Sequence, residues 1–294
     1  MNKSNEIGIK RFASCGFTRL DLLVVTTVLL GLSILTFVSL ASSRIQSSAI
    51  VCLNNHRRLV QSWLLYADDF EERVVNNMGI PATIGAIQSG QFNNWANNVM
   101  TWSAGSGTED RSNTNLVWAA KGLLVPYDKG AIDNYRCPAD TFLSALQRSR
   151  GWEGRVRSVS MNAFFGRFDP ATPSDPTAQG RNWLLSQYRQ FLKLSHVPRP
   201  AMTWVTLDEH ADSINDGYFI VSDNPTQWGD VPASYHNGAC VFAFADGHSD
   251  MHRWTSATSI YPVTTSSLFL RPFDAAGRAD FAWYKERTGY VRWP

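Results

Sequence analysis

The feature that most constrains this chain lies near its start, in KRFASCGFTRLDLLVVTTVLLGLSILTFVSL, from Lys10 to Leu40. A basic leader carrying Lys3, Lys10 and Arg11 meets Gly16 and Phe17, Arg19 and Asp21 follow, and about 19 residues then pass without a charge. At ~1.5 Å of helix rise per residue, such a run is about long enough to cross a bilayer core of ~30 Å. A secretory signal places its small-residue cleavage site after the apolar stretch. Here the small residue, Gly16, precedes it, and nothing like A-x-A follows Leu40. The apolar segment is therefore expected to be retained, with the basic leader on the inner side of the membrane.

The pattern then changes without a break. In ASSRIQSSAIVCLNNHRRLVQSWLLYADDF, the apolar residues Ile45, Ala49, Cys52, Leu53, Val60, Trp63, Leu64 and Ala67 recur at helical spacing. Between Phe17 and Asp69 there is no proline, and Gly31 is the only glycine, so one continuous helix of roughly 50 residues is expected. From about Gly79 onward glycine, proline, asparagine and tryptophan become frequent and apolar runs short, as in a globular head. RVRSVSMNAFFG, AMTWVTLDE and GACVFAFADGHSDMHRW read as strands from their β-branched and aromatic content. TNLVWAAKGLLVPYDKG reads as a short helix stopping near Gly122, and FDPATPSDPTAQG as a proline-rich surface loop. The expected fold class is α+β: a long N-terminal transmembrane-plus-amphipathic helix packed on a globular head with an antiparallel β-sheet. Its divisions are a leader at 1–16, the helix at 17–70 with its membrane part at 17–40, and the head at 71–294.

The residues GFTRLDLLVV resemble the class III signal of type IV pilins and type II secretion pseudopilins. The resemblance implies cleavage by a prepilin peptidase between Gly16 and Phe17 and methylation of the new amino terminus at Phe17. It also implies an assembly charge at Asp21, where the family usually has glutamate, paired with the amino-terminal ammonium of a neighbouring subunit. An acid in lipid needs such a partner. Two departures stand out: aspartate is one methylene shorter than glutamate, and Arg19 occupies a usually apolar position from which it could neutralise Asp21 within one chain. Five further blocks, CLNNHRRLVQSWLLYADD, YRCPAD, SVSMNAFFG, LDEHADSINDGYF and SYHNGACVFAFADGHSDMHRW, resemble the large pilin-like family with a carboxy-terminal H-x9-DG signature, here His236, Asp246 and Gly247. The resemblance implies a pilin-like, non-enzymatic subunit of a type II secretion-like pseudopilus or surface filament. It would be held in the inner membrane by a single pass with its head in the periplasm, reaching the cell surface on assembly. The implied partners are other pilin-like subunits, the prepilin peptidase, an assembly platform and the membrane.

Candidate sites are few. LDEHADSINDGYF supplies Asp208, Glu209, His210, Asp212 and Asp216, several carboxylates of the kind a hard cation takes, although the spacing is not that of an EF-hand. The resemblance adds that major pseudopilins carry a calcium-stabilised loop, which makes Asp208, Asp212 and Asp216 the candidate ligands of a structural calcium. The plainer reading is a turn whose Asp and Asn side chains cap backbone amides. On a strand, Asp246, His248, Asp250 and His252 would share a face, and with His236 they could hold zinc or manganese and activate water, the chemistry of a metal-dependent hydrolase. Their spacing matches no metallohydrolase pattern, and a His236–Asp246 hydrogen bond across a hairpin is the simpler alternative. Cys52 and Cys137 are the candidate disulfide, tying helix to head, while Cys240 reads as a small buried apolar residue. Trp95, Trp102 and Trp228 are candidates for stacking on carbohydrate, in the alternative of an anchored surface protein that binds a ligand without polymerising. The net charge of +2 comes from 27 basic and 25 acidic residues spread along the chain, with no basic block to serve as a nucleic-acid footprint. No G-x-S-x-G elbow, phosphate-binding loop or dinucleotide fingerprint is present.

Overall fold

The structure, a computed structural model, describes residues 18–291, and within the first helix the side chains of 18–33 and 46–69. The expected processing site at Gly16 and Phe17, with the rest of the leader, lies outside the described residues. The chain divides into two compact units, Met1–Arg44 and Ile45–Pro294.

Helix α1 (Arg19–Asp69) is 51 residues long, and the division falls within it. Its start is capped by Thr18, whose hydroxyl accepts from the Asp21 amide at 3.2 Å while the Asp21 carboxylate accepts from the Thr18 amide at 2.8 Å. This reciprocal exchange satisfies amides that a helix end leaves free. The Thr18 hydroxyl, which donates to Asp21 Oδ2 at 2.7 Å, and then the Thr18 amide favour the ionised form and hold the Asp21 carboxyl below its usual range. In the second unit Ala49, Cys52, His56, Leu59, Val60, Trp63 and Ala67 are buried at helical spacing. The helix ends where Glu71 and Glu72 turn into the left-handed region, at φ of 56° and 66°.

The short helices α2 (Ile80–Ser89), α3 (Thr108–Ser112), α4 (Leu116–Ala119) and α5 (Ala145–Ser149) follow. Strands β1 (Val159–Asn162), β2 (Trp204–Asp208), β3 (Tyr218–Phe219), β4 (Ala239–Phe244) and β5 (Ser249–Arg253) make one sheet in the order β3-β1-β2-β4-β5, and α6 (Ala275–Glu286) closes the fold. Every residue of β2 and β4 is buried. Such strands read as continuous apolar runs because both faces are covered. Val241 of β4 clusters with Cys52 of α1, whereas Phe242 packs on Trp283 of α6 with ring centres 5.3 Å apart. Helices α1 and α6 thus lie on opposite faces. At the tip of the β4–β5 hairpin, Gly247 has φ of 96°, and a Cβ there would also come within 3.2 Å of Leu64.

Several expectations are corrected by these observations. The sheet is mixed, because β3 runs parallel to β1 while the other pairs are antiparallel. Among the described residues no helix is long and apolar enough to cross a membrane. This overturns the expected fold class, in which a transmembrane helix packs on a head, and with it the description as a membrane-spanning pilin and the single-pass inner-membrane placement.

Candidate metal centre

Four side chains that the sequence distributes among unrelated motifs converge in the second unit. Cys52, Cys137, Asp208 and His236 each contribute one potential ligand atom, and these atoms lie within 4.8 Å of one another. All four residues are buried.

Each ligand is placed by a different local device. Cys52 sits on the buried stripe of α1, one helical turn before His56, so both project from the same face. Cys137 follows a short 3-10 helix at Ile132–Tyr135, and its amide donates to the Ser158 hydroxyl at 2.7 Å, which pins the turn to the residue preceding β1. Asp208 is the last residue of β2, held by the pairing of Val159 with Asp208 across β1 and β2. His236 stands immediately before a tight turn in which Asn237 and Gly238 adopt φ of 55° and 81°. Backbone bonds between His236 and Ala239, 3.3 Å each way, close that turn. Asn-Gly is the favoured pair for this geometry, since both positions need positive φ.

The polar contacts run in two pairs. The Cys52 thiol donates to Asp208 Oδ2 at 2.8 Å, and Cys137 Sγ lies 3.2 Å from His236 Nε2. Asp208 Oδ1 faces His56 Nε2 at 3.2 Å, with side chains 1 % and 0 % exposed. Neither atom makes an aligned hydrogen bond among the described residues, so the pair is a close polar contact. The other ring nitrogen of His56 meets the Thr206 hydroxyl at 3.0 Å. His236 Nδ1 is buried without a hydrogen-bond partner among the described residues. Burial pushes both thiols above their usual range and holds His236 below its own, because charged forms are poorly solvated there.

Other candidate residues go elsewhere. Cys52 and Cys137, the candidate disulfide, are both free thiols, as is Cys240. Of the candidate calcium ligands only Asp208 enters the cluster. Asp212 accepts from the amide and hydroxyl of Thr264 at 2.7 and 2.9 Å, and Asp216 accepts from the Tyr218 amide at 2.8 Å. Glu209 accepts from Ser213 at 2.8 Å, and burial raises its carboxyl to about 8. His210 spends its ring on the Tyr261 carbonyl and the Asp212 amide. The H-x9-DG residues do not pair with each other: His236 faces Cys137, while Asp246 contacts His248 at 2.6 Å in the exposed hairpin turn. His252 stacks on Trp283 at 3.5 Å. Trp95 and Trp228 are core residues whose faces are covered by protein, and Trp102 lies under the guanidinium of Arg155 at 4.2 Å. His56 was not anticipated as part of any site. The signal that could have shown it is its spacing from Cys52, four residues along a helix face.

Comparison with family models, with curated proteins and with solved structures finds no match to this chain.

Proposed function

We propose that this chain is a non-enzymatic structural subunit that is trimmed between Gly16 and Phe17 and assembles with like subunits through the helix beginning at Arg19. The observation that carries this reading is that every leucine and valine from Leu20 to Leu32 is exposed, nine side chains in all. They include the consecutive run Leu22 to Val25, so the apolar surface surrounds the helix instead of forming one stripe. A helix apolar all round is built to be buried. Covering each such side chain contributes about 1.5–3 kcal/mol, and neighbouring helices of the same kind supply the cover.

The polar residues within this surface are already self-satisfied. Thr26 and Thr27 donate to the carbonyls of Leu22 and Leu23 at 2.9 Å, and Ser33 donates to Leu30 at 2.7 Å. They can enter an apolar interface without leaving an unmet hydroxyl. Asp21 is the exception: the bonds that its carboxylate accepts from Thr18 both fall on Oδ2, and its charge is suited to the new amino terminus of a neighbour cut at Phe17. The GFTRLD sequence supports trimming at that point, by its resemblance to prepilin signals.

The test is to co-express the full chain with a prepilin peptidase, determine the amino terminus by mass spectrometry, and sediment the product. A chain beginning at N-methyl-Phe17 and pelleting as filaments is expected. An uncut chain, or a cut one that stays monomeric across the accessible concentration range, would sink the proposal.

A further inference from the structure

We propose that Cys52, Cys137, Asp208 and His236 form a structural zinc site that fastens the buried half of α1 to the sheet and to the turn at Cys137. The proposal concerns the second unit and stands independently of assembly through the first.

The donor set selects the ion. Two thiol sulfurs and an imidazole nitrogen favour zinc over calcium or magnesium, which take oxygen ligands almost exclusively. Zinc with two sulfurs, one nitrogen and one carboxylate oxygen makes a four-coordinate set. Bonds of about 2.3 Å to sulfur and about 2.0–2.2 Å to nitrogen and oxygen place neighbouring ligand atoms about 3.3–3.8 Å apart. All four atoms here already fall within 4.8 Å of one another, and the two close contacts, 2.8 and 3.2 Å, need only open slightly. Binding would break both of these contacts and replace them with bonds to the metal, the two thiol protons leaving to solvent.

Two observations point to an ion and not merely to a polar knot in the core. His56 stands behind Asp208 at 3.2 Å with its own ring held by Thr206, the kind of carboxylate–histidine support that orients metal ligands. The two sulfurs, finally, are directed at different partners, Asp208 and His236, and the four donor atoms still lie within 4.8 Å of one another. Complete burial leaves no open coordination position, which assigns the ion a structural and not a hydrolytic role.

The full chain, purified without a metal-affinity step and under mild reductant, is analysed for metal content and for free thiols. One zinc per chain is expected. A strong chelator should remove it and lower Tm, and added zinc should restore both. Cobalt in its place should give the thiolate charge-transfer and intense visible bands of a tetrahedral sulfur-containing site. In Cys137→Ser and His236→Asn the metal should fall from one equivalent to a small fraction. Because either variant could fail to fold, the chelation and cobalt measurements on the unaltered chain decide the matter by themselves. A chain that neither carries zinc nor gains Tm from it, a Cys52–Cys137 disulfide in the natively isolated protein, or zinc retained at full occupancy in both variants would each overturn the proposal.

Discussion

Asp216 is a carboxyl placed where a charge is costly. It is 7 % exposed and accepts from the Tyr218 amide, and burial raises it from 3.8 to about 6 despite the opposing effects of that bond and of Arg157. The fold therefore binds this proton more tightly than the unfolded chain does. The resulting stabilisation is fully present below about pH 4 and is lost as pH rises through about 6; a shift of about two units corresponds to roughly 3 kcal/mol at most. Asp216→Asn keeps an acceptor for Tyr218 while removing the titration. We expect its Tm to vary less than that of the parent between about pH 4 and about pH 7, and to exceed the parent's at the upper end. Equal slopes for the two proteins would show that Asp216 is not the group responsible. Trp63 illustrates the other residue-scale cost. It is fully buried on α1 and meets Phe165 edge-on at 5.3 Å, so Trp63→Ala should lose about 3–5 kcal/mol in denaturant unfolding.

At the scale of elements, two substitutions separate turn chemistry from capping. Gly247→Ala must hold φ near 96° and crowd Leu64 at 3.2 Å, and should lower the urea midpoint by the equivalent of about 1–2 kcal/mol with m unchanged. Asp274→Ala removes the side chain that accepts from the Gly277 amide at 2.7 Å at the start of α6, a loss of about 1 kcal/mol by the same measurement. The elements that could be read from the sequence were those with local signals. The strands around Ser160, Val205 and Val241 declared themselves through β-branched and aromatic runs, and the second half of α1 through its periodic apolar residues. Helix α6 did not, because AAGRADFAWYKE puts a glycine in its first turn and shows only a weak apolar stripe. Yet Gly277, Asp280, Phe281 and Tyr284, its buried residues, have helical spacing. The parallel pairing of β1 with β3 was equally hidden, since β3 is two residues long and carries no pattern of its own. The candidate site was half legible. Cys52, Cys137, Asp208 and His236 were each singled out, but under three separate expectations, a disulfide, a calcium loop and a family signature. What joins them is contact between residues as far apart as 52 and 236, and sequence spacing contains no measure of that.

For the whole molecule, the exposed apolar surface of the first unit and the thiol cluster of the second make separable demands. Replacing Leu23 and Leu30 together by serine should abolish sedimentable assemblies while leaving the thermal transition of the second unit where it was, because neither side chain contributes to the core clusters. A parallel loss of both would show that the two units are not independent. The three cysteines of the second unit also provide a clock. Cys52, Cys137 and Cys240 are all at 0 % exposure, so an alkylating reagent can reach them only when the structure around them opens. In the chain freed of metal by a chelator, each labelling rate thus measures the frequency of a local opening: Cys52 reports the departure of α1 from the sheet, Cys137 the loosening of its turn, and Cys240 the opening of the central strand pair. If the strand pair is the last part to open, Cys240 will be modified most slowly, and the order of the three rates will trace the sequence in which this fold comes apart.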